Sequence, residues 1–323
     1  MKFKINFELN DKNKLFEYWD DIIKNNVWSH GKYTELFEEK WSKFNDLYSL
    51  SFSSWSGAAE AVLKYFKLEN ELILCPSNTF QATPMISINN GCRIKFVDCN
   101  KNDLCISYED LKKKIEIYSP KAIWVVHIGG HLSFEIDKIS KLCREKKIIL
   151  IEDCAHAHGA SFNKKKPGSW GDAGIYSLYA TKTISTGEGG VLVSNNKDLI
   201  DFSKSFKNYG KPDNKIIGKN FRMSEFNAAI GCVQLDFLES IVNWKNEYAL
   251  KLKEKYHNHL ILPDNMRSGY YKFIVFEKIN FSTGKVYDKG CHEIFGEKID
   301  LPNTRWVNKN HWCVPIYYKQ KKI

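Results

Sequence analysis

The stretch Ile151–Asn195, IEDCAHAHGASFNKKKPGSWGDAGIYSLYATKTISTGEGGVLVSN, decides how this 323-residue chain is read. Asp153 stands at the end of an apolar run. Lys182 stands just before a glycine-rich turn, and Ser177 lies five residues upstream of it. An acid, a hydroxyl and an amine of this kind are what pyridoxal phosphate chemistry requires. The lysine bonds covalently to the aldehyde. The carboxylate keeps the pyridine nitrogen protonated, so that the ring draws electrons. The hydroxyl, with nearby backbone N–H groups, holds the phosphate. Taken singly, the residues have plainer readings: Asp153 as a helix cap and Lys182 as a solvent-facing amine. Their combination in one stretch with few other charges favours a cofactor site with a desolvated amine. Gly187, Gly189 and Gly190 surround Glu188 and are read as shaping that pocket. His156 is a candidate for stacking on, or hydrogen bonding to, the cofactor ring, and His158 is read as a packing residue.

Outward from this stretch, short apolar runs alternate with amphipathic segments from about Ser56 to Asn195. Strands are expected at Leu72–Cys75, Arg93–Val97, Ala122–His127, Ile148–Ile151, Gly174–Leu178 and Val191–Ser194. Helices are expected at Ala58–Phe66, Gln81–Asn89, Tyr108–Ile117, Ile136–Lys146 and Leu199–Phe206. The Ile- and Val-rich strands lack polar alternation, which suits a sheet covered on both faces. The fold class is therefore α/β, with a mostly parallel sheet. Asp153 then lies where ligands of open α/β sheets bind, beyond a strand's carboxyl end. Ser56–Gly57 precedes an expected helix whose first N–H groups suit a phosphate. Further on, Met223–Leu238 and Trp244–Leu260 read as two amphipathic helices, and YYKFIVFEKI as a strand. A smaller C-terminal domain is placed at 241–323, after a large domain at 1–240 that carries an N-terminal arm at 1–50.

An apolar content of 43% supports a large core. The N-terminus lacks a signal-peptide pattern, and no apolar run is long enough to span a membrane. Nine scattered cysteines without a CxxC pair suit reduced thiols and a cytoplasmic protein. Cys291–His292 and His311–Trp312–Cys313 fit no standard metal spacing, so no metal is expected. The net charge of +10 includes lysine runs at Lys164–Lys166 and Lys319–Lys322, read as solvated surface. No nucleic-acid-binding module accompanies them, although a basic protein suits an anionic substrate.

With these residues in place, the chain resembles the DegT/StrS family of pyridoxal-phosphate-dependent nucleotide-sugar aminotransferases, which have the fold type I architecture of aspartate aminotransferase. The resemblance runs from about Trp28 to Tyr256. It is most specific at IEDCAHAHGA, GSWGDAGIYSLYATKTISTGEGG and GKNFRMSEFNAAIGCVQL, with support from SWSGAAEAV, CPSNTFQATP, CRIKFVD and KAIWVVHIGG. It implies that Lys182 bonds the cofactor, Asp153 faces the ring nitrogen, His156 lies near the ring's phenolic oxygen and Ser177 binds phosphate. It implies further that Gly57 and Ala58 lie at the phosphate, that Phe80 stacks on the ring, and that Asn220 reaches the phosphate from the second subunit of a homodimer. L-Glutamate would be the amino donor. A keto-deoxysugar linked to a nucleotide would be the acceptor, and the product would feed capsule or lipopolysaccharide. Two departures stand out. Ala58 replaces the usual threonine, and the C-terminal region is short. The latter leaves open a small acceptor such as a phosphorylated triose or a cyclitol. A sugar dehydratase of the same fold would carry histidine in place of Lys182, and an idle scaffold would not need the three residues together.

Overall fold

The computed structural model describes residues 8–320; the first seven residues, and Lys321 to Ile323 within the terminal lysine run, lie outside that range. The chain opens with α1 (Leu9–Asn25), α2 (Lys32–Asn45), β1 (Tyr48–Phe52), α3 (Trp55–Tyr65), β2 (Leu72–Pro76), α4 (Ala82–Asn89) and β3 (Arg93–Val97). It continues through α5 (Tyr108–Tyr118), β4 (Ala122–Val126), α6 (Ile136–Lys146), β5 (Ile149–Asp153), β6 (Ser161–Phe162), β7 (Ala173–Ser177), β8 (Gly190–Ser194) and α7 (Lys197–Phe206). It ends with α8 (Glu225–Lys255), β9 (Met266–Arg267), β10 (Phe273–Val275), α9 (Cys291–Ile294), α10 (Pro302–Asn310) and β11 (Trp312–Val314).

Seven strands form one sheet in the order β1-β8-β7-β5-β4-β2-β3. Only β8 runs against its neighbours; the others are mutually parallel. The alternating pleat explains why these apolar runs become central strands. Ala122 and Trp124 of β4 face one core, with α3 and α7, whereas Ile123 and Val125 face another, with α5 and α6. In β8, Leu192 joins the first core, and Val191 and Val193 join a third built from α2 and α8. Full burial stabilises each such side chain by about 1.5–3 kcal/mol. Helix starts are marked by short polar residues: the side chains of Ser54, Ser107, Asn196 and Ser224 cap α3, α5, α7 and α8.

The expected strands and helices of the first 206 residues all form, with ends moved by a few residues. Three features differ from the reading. Residues 9–45 fold as two helices, and β1 adds an edge strand beside β8. The two helices read between Met223 and Leu260 are one 31-residue helix, α8, which runs unbroken through Ile241. β-Branched and polar residues at 240–243 weaken helix propensity there. Burial of Ile241 and Val242 against the large core overrides it. The far end of α8, through Ala249 and Leu252, packs on β10 and β11. The same helix therefore serves both parts of the chain.

A buried carboxylate ties the central strands to the loop before β7. Glu152 Oε1 accepts from the Trp170 and Gly171 N–H groups at 2.8 and 2.7 Å, and Oε2 from the Gly168 N–H at 2.8 Å. His127 Nε2 lies 2.9 Å from Oε2, while its Nδ1 accepts from the Ser133 N–H, so Nε2 carries the proton and donates. Glu152, His127 and Cys154 have the spacing of a metal cluster. The glutamate's oxygens are already engaged by these four donors, so the group acts as a knot. Glu152→Ala leaves them without an acceptor in a dry site, and we expect a loss of about 3–5 kcal/mol, read as a lower urea midpoint. An unchanged midpoint would contradict this role.

Candidate active site

The parallel strands β5 and β7 end side by side, which brings Asp153 and Ser177 to the same edge of the sheet. Asp153 is 5% exposed. Its Oδ2 accepts from the Thr83 hydroxyl at 2.8 Å and its Oδ1 from the Ala155 N–H at 3.0 Å. Burial raises its pKa, against the pull of those two donors and of the Lys182 charge.

Lys182 follows β7 in a tight bend, its N–H donated to the Tyr179 carbonyl at 2.9 Å. Its Nζ lies 5.2 Å from the centre of the Tyr271 ring and makes no hydrogen bond or ion pair with the described residues. Burial pushes the amine down to about 8; Asp153 opposes the shift and Lys272 adds to it. The Tyr271 ring stacks on His156, with centres 4.2 Å apart and planes at 25°. The Tyr271 hydroxyl meets the Thr181 hydroxyl at 3.2 Å. His156 is buried with its Nδ1 unpartnered, and burial drives its pKa well below the ordinary value, so the ring is neutral. Asp153 and His156 thus lie around Lys182: the lysine feels the charge of Asp153 and shares the Tyr271 ring with His156.

Ser177 reaches the start of α3 through a close backbone contact. It pairs with Gly190 of β8, and a Cβ on Gly190 would lie 2.5 Å from the Ser54 carbonyl oxygen. Only glycine lets β8 pass so near the helix start. The helix begins at Trp55, earlier than expected, so Gly57 and Ala58 lie inside its first turns. The Gly57 N–H is donated to the Ser54 hydroxyl at 3.2 Å and the Ala58 N–H to the Ser54 carbonyl at 3.4 Å. The Ala58 side chain is wholly buried in the core. The Trp55 and Ser56 N–H groups are the ones a helix start leaves without an intrahelical acceptor. Phe80, between β2 and α4, is 58% exposed. Asn220 is exposed, accepts from the Arg222 N–H at 3.4 Å, and makes no hydrogen bond to Asp153, Ser177 or Lys182. Its neighbour Phe221 packs on Gly57. The cysteines and histidines near the C-terminus are engaged in the fold: His292 with Ser77, Cys291 with the Thr79 carbonyl, His311 with Val307 and Val286.

The sequence reading missed Thr83, Tyr271, Lys245 and Lys272. YYKF was read as the start of a strand, but β10 begins at Phe273; Tyr270–Lys272 form a turn, and its Tyr271 and Lys272 line a small chamber with Lys182, Thr183 and Lys245. That turn is latched to the turn that follows β4: Gly269 N–H donates to Gly130 O at 2.7 Å and Lys272 N–H to Gly129 O at 2.8 Å. Gly130 has φ +112°, and a Cβ there would lie 2.4 Å from the Tyr271 nitrogen. The glycine pair in HIGG was the available signal.

The sequence pattern of the DegT/DnrJ/EryC1/StrS aminotransferase family matches residues 10–278. The chain belongs to this family. Among relatives, the GDP-perosamine synthase of Vibrio cholerae is 32% identical over 241 residues, which is 72% of this chain and 65% of that enzyme, so the match spans just under two thirds of the relative. The UDP-4-amino-4,6-dideoxy-N-acetyl-beta-L-altrosamine transaminase of Campylobacter jejuni is 28% identical over 299 residues, covering 87% of this chain and 79% of that one. A family member of Brucella abortus superposes with a TM-score of 0.90 over 97% of this chain and 92% of its own, at 22% identity. That likeness establishes the α/β fold of the family. No helix among the described residues is long and apolar enough to cross a membrane, and the nine cysteines are unpaired and buried.

Gly130→Val introduces both a forbidden backbone angle and a clash with Tyr271. We expect it to release the 269–272 turn, seen as faster amide hydrogen exchange there than in β4. Equal protection in the variant and the parent would refute the latch.

Proposed function

We propose that this chain is a pyridoxal-phosphate-dependent aminotransferase, working as a homodimer, that moves an amino group from L-glutamate to the keto group of a nucleotide-linked keto-deoxysugar. The observation that carries the reading is Lys182, an amine with a lowered pKa and no bonded partner among the described residues, within electrostatic reach of the buried Asp153.

The donor set fits the cofactor. Asp153 is a buried carboxyl group whose bonded partners are neutral N–H and O–H donors, so a protonated ring nitrogen would supply the counter-charge that favours its ionised form. Ser177 and the open N–H groups of α3 suit a phosphate. Phe80 offers an exposed aromatic face, and His156 a neutral ring with a free nitrogen. When bound, pyridoxal phosphate supplies an electron sink that stabilises negative charge on the carbon carrying the transferred amine.

Each residue then has a task. Lys182 Nζ would hold the cofactor through its aldehyde and would serve as the base beside the donor's α-carbon; an amine near 8 is suited to that work at neutral pH. Asp153 would hold a proton on the ring nitrogen. Thr83 and the Ala155 N–H fix the carboxylate's direction. Asn220, exposed beside the start of α3, would complete a phosphate site across the dimer axis. The acceptor class rests on the relatives, two of which are named for nucleotide-linked amino sugars. Such sugars serve surface glycans.

Lys182→Ala should abolish transamination and the visible absorbance that appears on adding pyridoxal phosphate, while leaving the fold intact by circular dichroism. Asp153→Ala should retain the absorbance and slow turnover by about a hundredfold or more, the scale of a lost electrostatic contribution. Turnover by the first variant, or full speed in the second, would remove the mechanism.

A further inference from the structure

Three lysines line the chamber: Lys182, Lys245 and Lys272. No acidic side chain lines it with them. Lys245, on α8, is buried and donates to the Tyr270 carbonyl at 3.0 Å, so it holds the 269–272 turn in place. Lys182 is assigned to the cofactor. Lys272 is different. Its backbone is pinned to Gly129, yet its Nζ makes no hydrogen bond or ion pair among the described residues and only lies 5.1 Å from the centre of the Tyr271 ring. Burial lowers its pKa. An ammonium taken out of water without an anion is costly, and a fold keeps one where a ligand supplies the charge. Thr183 lines the same chamber, and its buried hydroxyl also lacks a partner.

We infer that Lys272, assisted by the Thr183 hydroxyl, binds the α-carboxylate of the amino donor. This rests on the aminotransferase reading and adds to it the residue that selects an α-amino acid. The position of Lys272 decides between anions. Lys182 Nζ and Lys272 Nζ approach the same tyrosine ring, at 5.2 and 5.1 Å from its centre. Both also line the same chamber, and the charge of Lys272 is felt at Lys182, so Lys272 acts near the reacting amine. In an α-amino acid the carboxylate is bonded to the very carbon that carries the amine. In a nucleotide-linked sugar the phosphates are separated from the keto carbon by the body of the ring. The cofactor's own phosphate is assigned to Ser177 and the start of α3, neither of which lines this chamber.

The test uses the enzyme loaded with pyridoxal phosphate and follows its absorbance on adding a donor. L-Glutamate is compared with L-isoglutamine, in which only the α-carboxylate is replaced by an amide. The parent enzyme should favour glutamate by about tenfold or more, the scale of one hydrogen bond to a charged group. Lys272→Met should lose most of that preference, with a raised half-saturating concentration for glutamate and a smaller change for the keto-sugar nucleotide. Lys272→Arg should restore part of the preference. A Lys272→Met enzyme that keeps the full preference overturns the assignment. So does one that instead loses affinity for pyridoxal phosphate with the preference intact. If the parent enzyme takes up no cofactor or responds to neither donor, the aminotransferase reading itself fails, and this inference falls with it.

Discussion

An amine and a carboxyl group stand within electrostatic reach of each other without being bonded. Asp153 satisfies its oxygens with a hydroxyl and a backbone N–H, and Lys182 leans on the face of a tyrosine. A direct ion pair would quench both groups. Held apart, each keeps an unmet demand for charge or for a proton, and burial enlarges that demand. Much of the surrounding structure is explained by the need to hold these two side chains in this unrelieved arrangement.

The means are mostly backbone contacts. Parallel pairing of β5 with β7 fixes the ends of two strands side by side. The Glu152 knot ties β5 to the loop that enters β7. Gly190 lets β8 run close under α3, and the Gly129–Gly130 pair receives the turn that carries Tyr271 and Lys272. Helix α8 packs at one end on the large core and at the other on the small β10–β11 layer, with Lys245 between them gripping the same turn. The chamber is thus made from segments far apart in the chain, each docked through atoms that side-chain identity hardly reveals.

That division explains what could be read from the sequence. The strands of the sheet were legible because apolar runs such as AIWVV are too short for buried helices and are bounded by polar turns. The placing of Asp153 at the end of a strand was legible from the apolar run before it, and β7 ends at Ser177, one residue short of the strand read at Gly174–Leu178. The start of α3 was misplaced by three residues: Ser54 supplies the cap, and the Ser56–Gly57 pair read as preceding the helix lies inside it. Helix α8 was read as two because local propensity dips at 240–243, where tertiary burial holds the helix together. Tyr271 and Lys272 were not legible as site residues at all. Their meaning comes from a docking contact with β4 roughly 140 residues earlier, and no spacing within YYKF records it.

The most direct test mixes cofactor-free protein with pyridoxal phosphate over a series of pH values, quenches with borohydride, and maps the labelled peptide. Attachment needs the neutral amine, so the rate should climb as pH rises through about 8, well below the 10.5 of an ordinary lysine, with the label on Lys182. Label on another lysine, or a rate that climbs only near 10.5, would contradict the account.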